Sequence, residues 1–413
     1  MRGRFEVFSQ VVIGLLLVGI GLLAQYRYHV VERVRANVAD TGSGVTRSTT
    51  AYTDPQSVDL TTFWQVWRAL ETEYIEPEKL DQEVMVDGAI QGMTASLGDP
   101  YTMYLPPEDN KRSAEDLAGS FYGVGIELGY REGVLAVVAP LKGTPAGSAD
   151  VQPGDLILRV KDEQKSLDAD STNWALGEAV DNIRGPKGTP VTLTLFRQDY
   201  NDNQPFEVVL ERGEIVVNSV ELEYVESAGK RVAHLTVSRF GERTNDEWNT
   251  AVADILAQKG SLSGIILDMR NNPGGFFDGA ITIASDFIPS GVVVSQKGTG
   301  GSREYSVDHR SRLDGIPVEV LVNRGSASAS EIVAGALRDR VGAQLIGEQT
   351  FGKGTVQDRL ELANGGGVHI TIARWLLPSG EWIHDEGIPV DIAVEQNLET
   401  EEDEVLLTAI EVL

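Results

Sequence analysis

The sequence predicts an α/β protein of several domains, and three observations lead to that prediction. Its 413 residues are enough for two or three domains of about 150 residues each. Short apolar strands dominate the middle of the chain, whereas after about residue 232 apolar strands alternate with helical stretches, as in a layered sheet with crossover helices. A hydrophobic content of 41% and a charged content of 23% are ordinary for a folded protein and exclude a disordered chain.

Charge and residue usage exclude several classes of function. The formal net charge is −27, with 62 acidic against 35 basic residues, which argues against nucleic acid as a partner. Without cysteine the chain has no disulfide, no thiolate metal ligand and no cysteine nucleophile. The histidines form no ligand-spaced cluster, so we expect no metal and no cofactor. His234 and His369 lie in apolar strand patterns, which favours hydrogen-bonded residues of the core or of a sheet face.

The N-terminal segment predicts export or membrane anchoring. Arg2 and Arg4 precede an apolar run from Val11 to Ala24, which predicts a signal anchor or export segment over residues 1–36. Residues 37–57 are rich in Thr, Ser, Gly and Asp and predict a flexible tether. No small-x-small cleavage site follows Ala24, which favours an uncleaved anchor but leaves cleavage open. We therefore expect the bulk of the chain to be anchored to the cytoplasmic membrane and to face the periplasm or the cell exterior.

Residues 58–112 predict a helical N-terminal segment. Apolar spacing indicates one helix over Leu60–Tyr74 and a second over Asp81–Leu97. Two helices alone make a poor core, so this segment should pack on another domain or on a partner chain. Trp64 and Trp67 would suit a dimer contact, and burial within the same chain is an equally good alternative. The residues expected to face inward on the second helix are Val84, Met85, Ala89, Ile90 and Met93.

Residues 113–212 predict a small β-rich domain. Apolar strands fall at Gly133–Ala139, Asp155–Val160 and Pro190–Arg197, and one amphipathic helix lies near Leu176–Ile183. A glycine-spaced loop runs into the first strand. Backbone N–H groups of such a loop can bind a carboxylate, and the edge of the strand can pair with an extended peptide. The loop residues are Tyr122, Gly123, Val124, Gly125 and Ile126.

This domain resembles a PDZ domain. The resemblance depends on Tyr122–Ile126, on Gly143–Ala146 with Val151–Asp155, and on Ile183–Gly185. It implies that Tyr122–Ile126 bind the free C-terminus of another protein. The alternative is a glycine loop that only turns the chain.

The segment Gly325–Glu331 is the first of three candidate reactive segments in the remaining chain. It follows the apolar strand Val318–Val322 and precedes a helical stretch, so its small residues can turn sharply and expose a serine. Ser330 is the expected helix N-cap, and Ser328 lies where its hydroxyl could face a cleft. The helix N-terminus adds positive potential for a developing oxyanion. Taken alone, a Ser/Ala-rich turn is usually only a turn.

The other two segments contain a lysine and a Pro-Gly-Gly turn. Lys353 is the only lysine after Lys297 and is flanked by glycines. As a general base it must be neutral near pH 7, roughly three units below the ordinary lysine pKa of about 10.4, and burial can supply that shift. Gln357 could hydrogen-bond the amine and orient it. The turn Leu267–Gly275 can aim backbone N–H groups into a cleft as an oxyanion hole, or it can be an ordinary strand-to-helix turn.

Together these segments, in this order, resemble the carboxyl-terminal processing, or tail-specific, serine proteases that carry a PDZ domain. The resemblance covers residues 60–396. Further matches are Asp99-Pro100-Tyr101-Thr102, Ala373-Arg374-Trp375 with Pro378-Ser379-Gly380, and Gly387-Ile388-Pro389 before Asp391.

The resemblance implies a serine endopeptidase with a Ser–Lys dyad. Ser328 would be the nucleophile, Lys353 the general base and Gln357 the residue that orients it. The backbone N–H groups of Gly274 and Ala329 would form the oxyanion hole, with Gly275 one residue from the first of them.

The predicted architecture is thus an α/β multidomain protein. Its parts are an N-terminal membrane segment over 1–36, a tether over 37–57, a helical segment over 58–112, a PDZ-like β-rich domain over 113–212, and a layered α/β protease core with a C-terminal tail over 213–413. The expected partners are protein or peptide substrates with a free C-terminus, the membrane through the N-terminal segment, a second copy of the chain in a homo-oligomer, and an adaptor protein. The alternatives are a non-catalytic PDZ scaffold with an inert protease-like core, and a hydrolase that uses Ser328 with a histidine.

Overall fold

A computed structural model describes residues 58–396 and 402–413 of the protein. The predicted membrane segment and tether therefore lie outside the described residues. The chain divides into two units, the first ending at Asp81 and the second beginning at Gln82. Across the described ranges, every helix is too short or too polar to cross a bilayer.

The first unit contains helix α1, Thr61–Glu73, which confirms the predicted helix to within one residue at each end. Its aromatic side chains cluster, since the rings of Phe63, Trp64 and Trp67 have centroids 5.1 to 6.0 Å apart. No residue of α1 is buried within the described part of the chain, and Trp64 is 51% exposed.

The second unit begins with helix α2, Gln82–Ala95, as predicted. The prediction that its apolar residues face inward is wrong for Val84 and Met93, which are 67% and 65% exposed. The helix is instead tied down by Asp87, whose carboxylate accepts a 2.7 Å hydrogen bond from the hydroxyl of buried Tyr104. Tyr104 lies in strand β1, Met103–Leu105, which pairs with the distant strand Gly367–Leu376. The predicted helical segment over 58–112 therefore also contributes a strand to a sheet of the C-terminal region, and this strand is too short to produce an alternating pattern.

Helix α3, Pro107–Ala118, leads into the β-rich region. The described strands of this region form a two-stranded pair, β2 with β9, and a six-stranded antiparallel sheet in the order β3-β4-β5-β7-β8, with β6 on β5. Strand β3 lies at the edge of this sheet. The elements are β2 Ser120–Gly123, β3 Ile126–Arg131, β4 Val134–Pro140, α4 Pro145–Ser148, β5 Leu156–Asp162, β6 Leu167–Asp170, α5 Leu176–Ile183, β7 Pro190–Phe196, β8 Phe206–Glu211 and β9 Gly213–Val216.

The C-terminal region is built on the predicted layered sheet. Its order is β10-β11-β12-β15-β16-β19, parallel from β11 onward, and β12 is buried on both faces. Helices α6, α7 and α8 cover one face, and α9 packs on the other. The elements are β10 Val220–Ser227, β11 Lys230–Val237, α6 Thr244–Gln258, β12 Gly264–Asp268, α7 Phe277–Phe287, β15 Val318–Val322, α8 Ala329–Val341, β16 Leu345–Gly347, β19 Ile392–Ala393 and α9 Glu404–Val412.

A second, antiparallel sheet stands beside the first. It joins β13 Val292–Gly298, β14 Gly301–Ser306, β17 Thr355–Glu361 and β18 Gly367–Leu376 to β1. Strand β18 therefore does not join the parallel layered sheet, whereas the later strand β19 does. Alternation along β18 shows that it is a strand, but no local signal shows which sheet it joins.

Candidate active site

Ser328 lies at the junction between the end of β15 and the start of α8. Its backbone is left-handed, with φ 57° and ψ −115°, which is rare for a residue with a side chain and is found at sharp turns that present a nucleophile. Ser328, rather than the expected Ser330, is the N-cap of the helix. The Ser330 hydroxyl is buried and donates to the carbonyl oxygens of Ala327 and Asn272. Of the three serines in this turn, Ser326 and Ser330 are buried, and Ser328 is the one that is partly exposed.

Lys353 lies in the loop between β16 and β17 and is partly buried. Its amine makes no ion pair with a carboxylate of the described residues, and its Nζ lies 5.1 Å from the centroid of the Tyr101 ring. Burial lowers the pKa of Lys353, and the negative charges of Glu331 and Asp99 oppose that shift. A lysine in this environment loses its proton more readily than a surface lysine.

One cavity of about 950 Å³ brings the predicted residues together. Ser328, Ala329, Lys353 and Gln357 line it, and so does the turn that contains Gly274 and Gly275. Apolar side chains complete the wall near the serine, among them Phe277, Ile332, Val356 and Trp375.

Gln357 does not make the expected bond to the lysine. Its Nε2 donates to the hydroxyl oxygens of Thr355 at 2.9 Å and Thr371 at 3.2 Å, and no bond to Lys353 is present in the part of the chain that the structure describes. The two threonines, rather than the amine, fix the orientation of this amide.

The turn after β12 also differs from the expected arrangement. The N–H of Gly274 donates to Oδ1 of Asn272 at 2.8 Å, so it is not available to an oxyanion in this structure. The N–H groups of Gly275 and Ala329 have no hydrogen-bond partner among the described residues. Gly274 has φ 99°, and a Cβ on it would lie 2.8 Å from Cβ of Ser328 and 3.0 Å from N of Ala329. The Pro-Gly-Gly turn is therefore packed directly against the serine.

Two neighbours of the reactive groups were not given roles by the sequence. Glu331 is completely buried and accepts hydrogen bonds from the backbone N–H groups of Ser328 and Lys353. Tyr101 presents its ring to the lysine amine. The only signals were that Glu331 adjoins the Ser/Ala string and that Tyr101 lies in the Asp-Pro-Tyr-Thr match.

His234 and His369 differ in their hydrogen bonding. His234 is satisfied by Asp268, with Nε2 3.1 Å from the carboxylate, as the sequence predicted. His369 lines the cavity of Ser328 and Lys353, and its buried Nε2 has no hydrogen-bond partner within the described ranges. Burial and the cations Arg359 and Lys353 lower the pKa of His369, which favours a neutral imidazole.

The glycine loop of the β-rich domain lies outside this cavity. The N–H groups of Ala146 and Leu141 donate to the carbonyl oxygens of Val124 and Gly125 at 2.8 and 2.9 Å. Gly125 has φ 74°, and a Cβ on it would clash with Thr144 at 2.3 Å. The loop is thus held by its carbonyl groups beside the edge strand β3.

Comparison with known proteins identifies the family. The model of peptidase family S41 matches residues 231–394, and that of the activating protease CtpB N-terminal domain matches residues 18–109. The carboxy-terminal-processing protease of Bartonella bacilliformis is 37% identical over 343 residues, which cover 82% of this chain and 76% of that protein. The chain belongs to peptidase family S41, the family of these carboxy-terminal processing proteases.

Two further members of this family and its fold are similar to the chain. Carboxy-terminal processing protease CtpA of Bacillus subtilis is 40% identical over 319 residues, which are 77% of this chain and 66% of that protein. The chain therefore spans about two thirds of the length of that relative. The structure of a putative S41 protease from Bacteroides fragilis has the same fold, with a TM-score of 0.51 at 14% identity, over 80% of this chain and 90% of that one.

Proposed function

We propose that the chain is a serine endopeptidase that cleaves peptide bonds with a Ser328–Lys353 dyad. The observation that carries the proposal is the shared cavity, in which an N-cap serine with a positive φ accompanies a partly buried lysine that has no ion pair within the described residues. Membership of the carboxy-terminal processing family supports the reaction class.

The proposed mechanism uses only groups of this chain. Neutral Lys353 takes the proton from the Ser328 hydroxyl while its oxygen attacks the peptide carbonyl. The N–H groups of Ala329 and Gly275 stabilise the tetrahedral oxyanion, and the lysine returns the proton to the leaving amine. Water then hydrolyses the acyl-enzyme by the reverse route. Gln357, held by two threonines, forms part of the cavity wall.

Cleavage of an unfolded protein reporter by the full chain in detergent tests the dyad. Ser328→Ala and Lys353→Ala should be folded and inactive, and the activity of the wild type should rise with pH as the lysine becomes neutral. His369→Ala should retain activity. Activity of Lys353→Ala that disappears in the double variant with His369→Ala would instead identify the histidine as the base. A silent wild type would favour a non-catalytic PDZ scaffold with an inert protease-like core.

The β-rich domain is proposed to capture the C-terminus of the substrate. Support comes from β3 at the sheet edge, from helix α5 packed against it, and from the glycine loop that begins this strand. A labelled peptide with a free C-terminus should bind more tightly than the same peptide with an amidated C-terminus. Equal binding would contradict capture of the carboxylate.

The location of the protein is a proposal as well. The apolar run over Val11–Ala24 supports an anchor in the cytoplasmic membrane, with the protease on the periplasmic or outer side. The full chain should remain in the membrane fraction after alkaline extraction and should be cut by protease added outside spheroplasts. Release of the chain by alkaline extraction would contradict the anchor.

A further inference from the structure

One buried carboxylate joins the backbones of the two proposed reactive residues. Oε2 of Glu331 accepts the N–H of Ser328 at 2.7 Å and the N–H of Lys353 at 2.9 Å. Oε1 accepts the N–H of Gly352 at 2.7 Å and the hydroxyl of Thr350 at 2.6 Å. Glu331 thus connects the turn before α8 to the loop that carries the lysine.

The four partners of Glu331 require it to be an anion. Three of them are backbone N–H groups, which only donate. The fourth, the Thr350 hydroxyl, accepts the N–H of Ile388 at 2.7 Å and therefore directs its own proton to the carboxylate. Burial raises the pKa of Glu331, but a protonated carboxyl would place an O–H against a donor, so the hydrogen bonds oppose protonation.

The position of Glu331 prevents any direct role with a substrate. Its side chain is completely buried and does not line the cavity. Its contacts reach the reaction only through the main chains of Ser328 and Lys353. The left-handed backbone of Ser328 is unfavourable by itself, and the bond from its N–H to Glu331 helps to hold it.

We propose that Glu331 is a positioning residue, which fixes the distance and orientation between Ser328 and Lys353 through their backbone N–H groups. This inference rests on the proposed dyad. It predicts that a change at Glu331 alters turnover rather than substrate binding, because the cavity wall remains intact.

The charge of Glu331 gives the proposal a second consequence. The titratable groups that face the Lys353 amine are Glu331 from α8, Asp99 and Tyr101 from the segment before β1, and His369 from β18. Glu331 and Asp99 favour the protonated amine, against the effect of burial. Removal of the Glu331 charge should therefore move the rise of activity to lower pH.

The test compares Glu331→Gln with a matched control, Glu247→Gln. Glu247 also accepts several donors with one carboxylate oxygen, the N–H and hydroxyl of Ser219 and the N–H of Val220, but it lies outside the cavity. In the full chain, Glu331→Gln should lower kcat on the order of 10²-fold with little change in KM, as expected for misplaced reacting groups. Its pH profile should move to lower pH. Glu247→Gln should leave kcat and the profile unchanged.

A milder variant covers the case in which Glu331→Gln does not fold. Thr350→Val removes the hydroxyl bond to Oε1 and the acceptor of the Ile388 N–H, but it leaves the bonds from the Ser328 and Lys353 N–H groups in place. Its kcat should therefore fall less than that of Glu331→Gln, with circular dichroism as the check of folding. Unchanged kcat and pH profile in folded Glu331→Gln, beside an active wild type and inactive Ser328→Ala, would overturn the positioning role and leave the dyad intact.

Amide hydrogen exchange tests the same role without activity. The N–H groups of Ser328 and Lys353 should exchange faster in Glu331→Gln than in the wild type and the control. If the wild type is silent in the protease assay, the proposed function fails, and exchange still decides the inference: unchanged exchange at both residues in a folded variant overturns it.

Discussion

Two partly buried cations in the protease core have opposite environments. Arg270 donates to both carboxylate oxygens of Asp268 and of Asp403, at distances between 2.6 and 3.1 Å. Lys353 has no carboxylate within ion-pair distance in the described ranges and faces the Tyr101 ring. Burial lowers the pKa of both groups, but hydrogen bonds to Asp268 and Asp403 hold the pKa of Arg270 above its ordinary value, whereas that of Lys353 remains lowered.

Under the proposed mechanism, the difference separates a charge that stabilises the fold from one that transfers its proton. Arg270 connects the end of β12 to Asp403, the N-cap of α9, and so fixes the turn that carries Gly274. Its proton is never available. Lys353 has few compensating contacts, and the incomplete compensation makes its proton transferable.

The largest expected effect comes from giving the Lys353 site a cation that, like Arg270, keeps its proton. Lys353→Arg keeps a cation in the cavity, but a guanidinium stays protonated at any ordinary pH. We expect kcat to fall on the order of 10⁴-fold or more, as for loss of a dyad member, in the reporter assay. Recovery of activity at high pH in this variant would show that a different group is the base.

Breaking the ion pairs of Arg270 with Asp268 and Asp403 should lower the free energy of unfolding. Arg270→Met removes the cation between two carboxylates and leaves buried Asp268 with only His234 and the backbone N–H of residue 270 as donors, so we expect a loss of about 3 to 5 kcal/mol in the free energy of unfolding. Urea unfolding measures it. The control is Arg243→Gln, which removes an exposed pair with Glu247 and should cost about 1 kcal/mol or less. Equal losses in the two variants would contradict the difference in environment.

Acid should lower the stability that the ionised carboxylate of Asp268 contributes, over a defined range of pH. Burial raises the pKa of Asp268, but hydrogen bonds from His234 and Arg270 outweigh it and leave the pKa at about 2. Because that pKa is lower than the unfolded value of about 3.9, the ionised group contributes about 2 to 3 kcal/mol above pH 4 that is lost as the pH falls towards 2. Unfolding free energies of Asp268→Asn should lack this pH dependence. A variant that retained it would point to another carboxylate.

The smallest expected effect is on the free energy of unfolding when Lys353 is replaced by an apolar residue. Lys353→Met replaces a buried group whose charged form is disfavoured, and we expect a gain of about 1 kcal/mol at pH 7. A lowered pKa means that the unfolded chain binds more protons, so the stability of the wild type rises with pH between the lowered pKa and about 10.4, and the advantage of the variant fades there. A variant less stable than the wild type at pH 7 would contradict this sign.

Ser328 and Lys353 could be singled out from the sequence because their signals are local. A serine in a run of small residues before a helix, and an isolated lysine between glycines, can be read from adjacent residues. Gly274 and Gln357 could not be assigned in the same way. The first depends on the side chain of Asn272, and the second on Thr371 of the neighbouring strand, where the pairing of β17 with β18 shifts at Val356 and Gln357.

Local sequence signals also leave part of the fold unpredicted. The parallel strands of the core were predicted because each is a short apolar run. The antiparallel sheet instead joins segments from residue 103 to residue 376, and no local sequence pattern shows that these segments pair with one another. Glu331 illustrates the point at the site, since its partners Gly352 and Lys353 approach it only after the loop folds back.

The contact of Gly274 with the serine turn has a consequence for how such a chain can evolve. A single methyl group at position 274 would intrude on Ser328 and Ala327. The two turns therefore cannot drift independently, although Gly274 contributes no side chain to any reaction. A library that randomises the residues around the nucleophile should yield active clones only where position 274 remains glycine, so that the two segments are inherited as one unit.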